Sequence, residues 1–171
     1  MLVKSKIKYI QTLGQKKFRQ QERLFTAEGP KLVGELLLTP GVEVQEIFAV
    51  QEWITAHQPL LKKTTVTPVT PEELEKLSQL SAPNLVLAVV KQFDNSLPVI
   101  TKNKITLVLD TIQDPGNLGT IIRIADWFGV AQIVCSPDST DQYNSKVVQA
   151  TMGSIGRVSV YYENLEEWLE E

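Results

Sequence analysis

Cysteine, histidine and long apolar runs are all scarce in this chain of 171 residues, and each shortage removes a class of protein. A single cysteine, Cys135, cannot form an internal disulfide, which sets aside the disulfide-stapled scaffolds and fits a reducing cytoplasm. It ends the apolar run Gln132-Ile-Val-Cys135, the setting of a core thiol rather than of a nucleophile. The one histidine, His57, has no second ligand type clustered near it, so no metal site is expected. No apolar stretch approaches the ~20 residues that span a bilayer. The opening MLVKSKIKYI lacks the long apolar region and small-residue cleavage site of a secretory signal. The expectation is a cytoplasmic protein with no membrane segment.

What is present is ordinary globular material, 43% hydrophobic and 22% charged, enough for one medium domain or two small ones. The net charge of −3 conceals a polarity. Residues 1–31 carry eight basic groups (Lys4, Lys6, Lys8, Lys16, Lys17, Arg19, Arg23 and Lys31) against Glu22 and Glu28, and the remainder holds nine basic against eighteen acidic. A basic block on an acidic body suits an anionic partner. A solvated, salt-laced helix is the other reading, and charge alone leaves both open.

Strand and helix patterns alternate along the chain. Ile7, Ile10 and Leu13 give a short helical stripe, with most lysines and arginines off it. A strand over Arg23–Ala27, a turn at Glu28-Gly29-Pro30 and a helix stopped by Pro40-Gly41 follow. Further on come the strand VQEIFAV, the helix QEWITAHQ, a capping box at Thr70-Pro-Glu-Glu73 and the continuous apolar run LVLAVV of a fully covered strand. This describes a small α/β domain over residues 1–93. The polar, proline-bearing DNSLPVITKN, 94–103, reads as a linker. From 104 to 171 a second α/β pattern runs: ITLVLD, a helix from about Gly116 to Phe128, AQIVC, the helix NSKVVQATMG, RVSVYY and the helix NLEEWLEE.

The most informative stretch is Leu109-Asp-Thr-Ile-Gln-Asp-Pro-Gly-Asn-Leu-Gly119. It has neither the spacing of a phosphate loop nor that of a dinucleotide fingerprint. Asp114 can cap free backbone N–H groups and Pro115 suits a first helical turn. Gly116 and Gly119 leave the backbone bare, so the helix N-terminus offers an anion or polar-ligand site; alternatively, the glycines only let the helix pack tightly on its strand. On a helical wheel Leu118, Ile121, Ile122, Ala125 and Phe128 share the core face, while Arg123 falls opposite with Gly119, Thr120 and Trp127. Arg123 then either serves a ligand at the turn or pairs on the surface with Asp126.

These residues resemble the first signature of the SpoU (TrmH-like) RNA 2′-O-ribose methyltransferases of the SPOUT superfamily. NSKVVQATMGSIGRVSVY looks like the segment that follows it. KSKIKYIQTLGQKKFRQQERLFTAEGPKLVGELL resembles the family's L30e-like substrate-binding module. The resemblance implies an α/β protein: an L30e-like domain, then the first part of a SPOUT (α/β-knot) methyltransferase domain. It implies methyl transfer from S-adenosylmethionine to a ribose 2′-hydroxyl of ribosomal or transfer RNA, by a homodimer when complete. Asn117 matches the signature asparagine, Arg123 the catalytic arginine, and Glu28-Gly29 the Glu-Gly of the substrate module. RNA contacts are expected at Lys8, Lys16, Lys17, Arg19, Arg23 and Glu28, with Asp114, Gly116 and Gly119 shaping the catalytic turn. The sequence departs from the family pattern at Asn84-Leu85, where many relatives have Gln-Gly, and at Ser154, where alanine is usual. The Gly-Asn-Glu-Gly-type turn and the later Ser-Leu-Asn segment do not occur. Both belong to the deep knot and supply most of the cofactor pocket, so tight S-adenosylmethionine binding by this chain is not expected. The alternative is an RNA-binding protein without catalysis.

Overall fold

The computed structural model describes residues 2–82, 84–94, 98 and 102–170. The chain divides into two compact units, Met1–Gln92 and Phe93–Glu171, each with its own sheet. Positions 95–97 and 99–101 of the expected linker lie outside the described residues.

In the first unit the basic segment forms two helices, α1 (Lys4–Thr12) and α2 (Lys16–Glu22). The stripe acts as its spacing implies: Ile10 and Leu13 are wholly buried and Ile7 packs against them. The break falls at Gly14, where a Cβ would come within 3.3 Å of the Gln79 side chain. There follow β1 (Leu24–Glu28), α3 (Pro30–Leu38), β2 (Val44–Ala49), α4 (Gln51–His57), a 3-10 turn at Gln58–Leu60, β3 (Thr65–Pro68), α5 (Pro71–Leu77) and β4 (Val86–Lys91). The sheet order is β1-β4-β2-β3. β4 is antiparallel to both its neighbours, and β2 pairs parallel with β3. The run Val86–Val90 is buried throughout, as a strand covered on both faces must be. Leu87 and Val89 join the cluster of Ile10, Leu13, Leu74 and Leu77 from α1 and α5. β3 has no distinct sequence signal; it is an edge strand, the place where its Pro68 costs no ladder bond between neighbours. The capping box forms as read: Glu73 N donates to Thr70 Oγ1 at 3.2 Å and Thr70 N to Glu73 Oε2 at 3.1 Å.

The second unit is a three-stranded parallel sheet, β5 (Thr106–Leu109), β6 (Gln132–Cys135) and β7 (Ser159–Tyr162), in that spatial order. Helices α6 (Pro115–Trp127) and α7 (Ser145–Thr151) follow the first two strands, and α8 (Leu165–Glu170) follows β7. Leu118, Ile122 and Ala125 of α6, with Val147 of α7, enclose one core with Ile133, Cys135 and Val160. α6 and α7 meet at Gly119, where a Cβ would lie 2.5 Å from Ala150 Cβ and 2.7 Å from the Val147 carbonyl oxygen. Gly119 is therefore buried between helices, not open to solvent with Arg123 as the wheel implies. Close packing is the other reading of the glycines, but the partner at Gly119 is α7 and not the strand.

Gly119→Ala should destabilise the second unit by on the order of 1–3 kcal/mol, the overpacking cost outweighing alanine's better helix propensity. Urea unfolding checks this. Adding Ala150→Gly should restore only part of the loss, because the clash with the backbone oxygen of Val147 remains.

Candidate functional site

The loop after β5 enters α6 through Asp114, whose side chain accepts a hydrogen bond from Asn117 N at 2.8 Å, with Pro115 at the first helical position. One N–H of the helix N-terminus is thus already answered by a carboxylate. Gly116 sits over that cap, since a Cβ there would stand 3.1 Å from Asp114 Oδ1. Beyond the cap, α6 shows one exposed face carrying Asn117, Thr120, Arg123, Ile124 and Trp127, with Phe128 at its end. Trp127 is 86% exposed and Phe128 77%. The wheel assigns Phe128 to the core, but the helix ends at Trp127 and Phe128 takes the cap position with ψ of 7°.

The structure also replaces the surface pair expected for Arg123. Asp126 turns to the segment after α7, accepting from Ser154 Oγ at 2.7 Å, Arg157 Nε at 2.9 Å and Arg157 Nη2 at 2.8 Å. Arg123 is exposed and has no hydrogen-bond or ion-pair partner among the described residues. The i,i+3 spacing hid this clamp, because the winning partner lies 31 residues away.

Ligands of parallel α/β sheets bind beyond the carboxyl ends of the strands. At that end Thr111 holds a left-handed backbone, φ 54°, uncommon for a β-branched residue. Its N–H donates to Ser136 Oγ at 2.8 Å, and its hydroxyl donates to Asp110 and Asp138. Ser136 also donates to Asp138 Oδ1 at 2.6 Å. Gln142 is buried, with Nε2 donating to the Val160 carbonyl at 3.0 Å and Oε1 unpaired among the described residues. Nothing in the sequence pattern marks Thr111, Gln142 or the Asp126 clamp. A cavity of about 410 Å³ lies at the opposite ends of the strands, lined by Ile105, Phe128, Gln132 and Tyr161 among others.

In the first unit the candidate RNA contacts sort into two groups. Lys8, Lys16, Lys17 and Arg23 are exposed, Arg23 in the left-handed position that ends α2. Arg19 and Glu28 are turned inward, 3% and 4% exposed. Arg19 Nη1 donates to the carbonyls of Leu13 at 3.0 Å and Gly14 at 2.8 Å. Glu28 accepts from the Ser78 hydroxyl and from Gln79 N at 2.9 Å. Burial raises its pKa above the ordinary glutamate value, the two hydrogen bonds opposing that only in part. Elsewhere His57 stacks on Trp53 at 4.3 Å. Burial pushes the Cys135 thiol up to about 12. Among the described residues there is no metal-ligating group of three or more, and no helix is long and apolar enough to cross a membrane.

Comparison with known proteins agrees in both units. Residues 4–88 match the MRM3-like substrate binding domain and residues 104–171 the SpoU rRNA Methylase family. The chain is 30% identical over 166 residues to the Bacillus subtilis 23S rRNA (guanosine(2553)-2′-O)-methyltransferase RlmP, covering 97% of this chain and 65% of that protein. Human mitochondrial rRNA methyltransferase 3 is 27% identical, covering 87% of this chain and 37% of the relative. A TrmH-family protein of Porphyromonas gingivalis superposes with a TM-score of 0.85 at 33% identity, over 96% of this chain and 64% of that one. An AdoMet-bound rRNA methyltransferase of Sinorhizobium meliloti gives 0.84 at 30%, over 99% and 66%. The fold is that of the TrmH/SpoU proteins, a mixed α/β substrate-binding domain followed by a SPOUT-type domain. The chain thus carries an MRM3-like substrate-binding domain followed by a SpoU methylase domain. It spans about two thirds of the length of its bacterial relatives and little more than a third of the mitochondrial one.

The Asp126 clamp should be visible in acid. Partial burial works to raise the Asp126 pKa, but the hydrogen bonds from Arg157 and Ser154 and the Arg157 charge hold it below the ordinary aspartate value. A depressed folded pKa contributes stability that is whole above ~pH 4 and is lost as pH falls through the folded value. Asp126→Asn should therefore lower stability at neutral pH and make the acid limb of a stability–pH curve shallower. Arg123→Ala should leave both within ~0.5 kcal/mol of the parent.

Proposed function

We propose that this chain is the substrate-binding module and first part of the catalytic domain of an RNA 2′-O-ribose methyltransferase. S-adenosylmethionine is the methyl donor and ribosomal RNA the substrate. The observation that carries the reading is Arg123: a guanidinium without a partner among the described residues, on the exposed face of α6 that also bears Asn117, within the SpoU-matching segment. The functions named for the Bacillus subtilis and mitochondrial relatives favour ribosomal RNA as the substrate.

Methylation of a 2′-hydroxyl needs in-line approach to a sulfonium methyl and removal of one proton. Guanidinium keeps its proton to pH above ~12, so Arg123 is poorly suited to be the base. It is well suited to grip the neighbouring phosphate with two N–H groups and to stabilise negative charge growing on the attacking oxygen. S-adenosylmethionine supplies the methyl group when bound. The polar side chains at the carboxyl ends of β5 and β6, Thr111, Ser136, Ser139 and Asp138, are engaged with one another and with nearby backbone. They do not make up a site for adenosine and a sulfonium, so this chain's own part is to bind and orient RNA. A homodimer fits the exposed Ile124, Trp127 and Phe128, an apolar strip that a second copy would cover. RNA binding without catalysis is the second reading, favoured by the basic N-terminal block.

Three measurements test this. The chain should bind rRNA with an affinity that falls steeply with salt, at ~0.7–0.9 of log–log slope per phosphate contact, and Lys8, Lys16, Lys17 and Arg23 replaced together by alanine should flatten that slope. An unchanged slope would make the basic block a solvated surface. Calorimetry of the chain with S-adenosylmethionine should show no micromolar binding, and tight binding would mean the pocket is completed another way. In single-turnover methylation of rRNA by the intact native protein, Arg123→Ala should reduce the rate by ~10² or more with folding unchanged. A full-rate variant removes Arg123 from the site, and RNA binding without any methylation selects the second reading.

A further inference from the structure

Glu28 is a buried carboxylate with no cationic partner among the described residues. Such a group is tolerated only when hydrogen bonds replace the lost water. Both of its donors come from one short segment about fifty residues away: the Ser78 hydroxyl gives to Oε2 and Gln79 N to Oε1. Ser78 Oγ in turn accepts from Leu80 N at 3.0 Å, so the carboxylate organises three consecutive residues. That segment lies against the turn between α1 and α2. Gln11 Nε2 donates to the Lys76 carbonyl at 2.7 Å, and the Gln79 side chain packs over Gly14. Gly14 is also one of the two carbonyls held by buried Arg19. Exposed Lys16 and Lys17 begin α2 immediately beyond this turn, and exposed Lys76 lies in the last turn of α5. The arrangement leaves Gln79 Nε2 buried without a partner among the described residues, a cost that the surrounding bonds must outweigh.

We propose that Glu28 is a positioning residue of the RNA-binding surface: from inside the domain its carboxylate fixes Ser78–Leu80 against the α1–α2 turn, and RNA is read by the surface those two segments present together. Glu28 itself does not touch RNA. The inference rests on the reading that this unit takes RNA, and it assigns the segment after α5 to the same surface as Lys16 and Lys17.

The test pairs amide hydrogen exchange with RNA titration, using the whole chain and a fluorescein-labelled RNA stem–loop as probe. Glu28→Ala and Ser78→Ala should each speed exchange at Gln79 and Leu80 and weaken RNA binding about tenfold, the scale of losing a buried charged hydrogen bond. The salt slope should stay that of the parent, because no phosphate contact is removed. Glu28→Gln keeps one acceptor oxygen and should recover most of both effects. Ser78→Ala leaves the carboxylate in place and carries the test if Glu28→Ala does not fold. Unchanged exchange at Gln79 and Leu80 in Ser78→Ala and Glu28→Gln alike, with Glu28→Ala also unchanged or unfolded, overturns the clamp. Faster exchange with parental RNA affinity overturns the role of the segment in binding. Glu28→Gln as weak on RNA as Glu28→Ala, yet with slow exchange, would mean direct contact by Glu28. A parent chain that binds no RNA refutes the functional reading, while the exchange data still decide the clamp.

Discussion

The rotational setting of α6 about its own axis is the constraint on which the candidate site depends. Three contacts fix it. Leu118, Ile122 and Ala125 press into the sheet core, Gly119 admits the backbone of α7, and Asp126 is held by Ser154 and Arg157. Because α6 meets α7 at Gly119, against Val147 and Ala150, and the segment after α7 at Asp126, through Ser154, the helix can neither roll nor slide freely. What remains outward is the face with Asn117 and Arg123. A guanidinium has value for orienting a phosphate only if its stem starts from a fixed place. Packing supplies that fixity, and Arg123 contributes nothing to it.

The order of elements was largely legible because it is written in local periodicity and local capping. The Thr70–Glu73 box, the Asp114 cap and the unbroken Val86–Val90 run each involve neighbours in sequence and formed as read. The misreadings on α6 share one cause. A helical wheel ranks residues by polarity and angle, so it cannot see that a missing side chain marks closest approach, as at Gly119. Nor can it see that Phe128 lies past the last helical residue. A local rule likewise offered Asp126 to Arg123, while a partner far along the chain won. β3 escaped notice because an edge strand of four residues ending in proline needs little apolar pattern of its own.

Charge is legible in the sequence as a total but not in the role of each group. The sequence shows eight basic residues before position 32, but not which are structural. Arg19 and Glu28 use full charges to tie backbone together inside the domain, where a hydrogen bond to an ion is stronger than one between neutral groups. Lys8, Lys16 and Lys17 are exposed and take no such part among the described residues. In the second unit the same logic appears without charge. Gln142 supplies an amide to the Val160 carbonyl of β7, the edge strand of this sheet among the described residues.

The solitary thiol has a practical corollary. Cys135 ends the central strand of the second sheet, has no accessible surface, and holds its proton to about 12. In the folded state it is closed to alkylating reagents, so a cysteine introduced on either unit's surface would carry a spectroscopic label alone, with the native residue left in place. Conversely, the rate at which Cys135 itself is alkylated times the opening of the second unit's core, with no thiol in the first unit to blur the record.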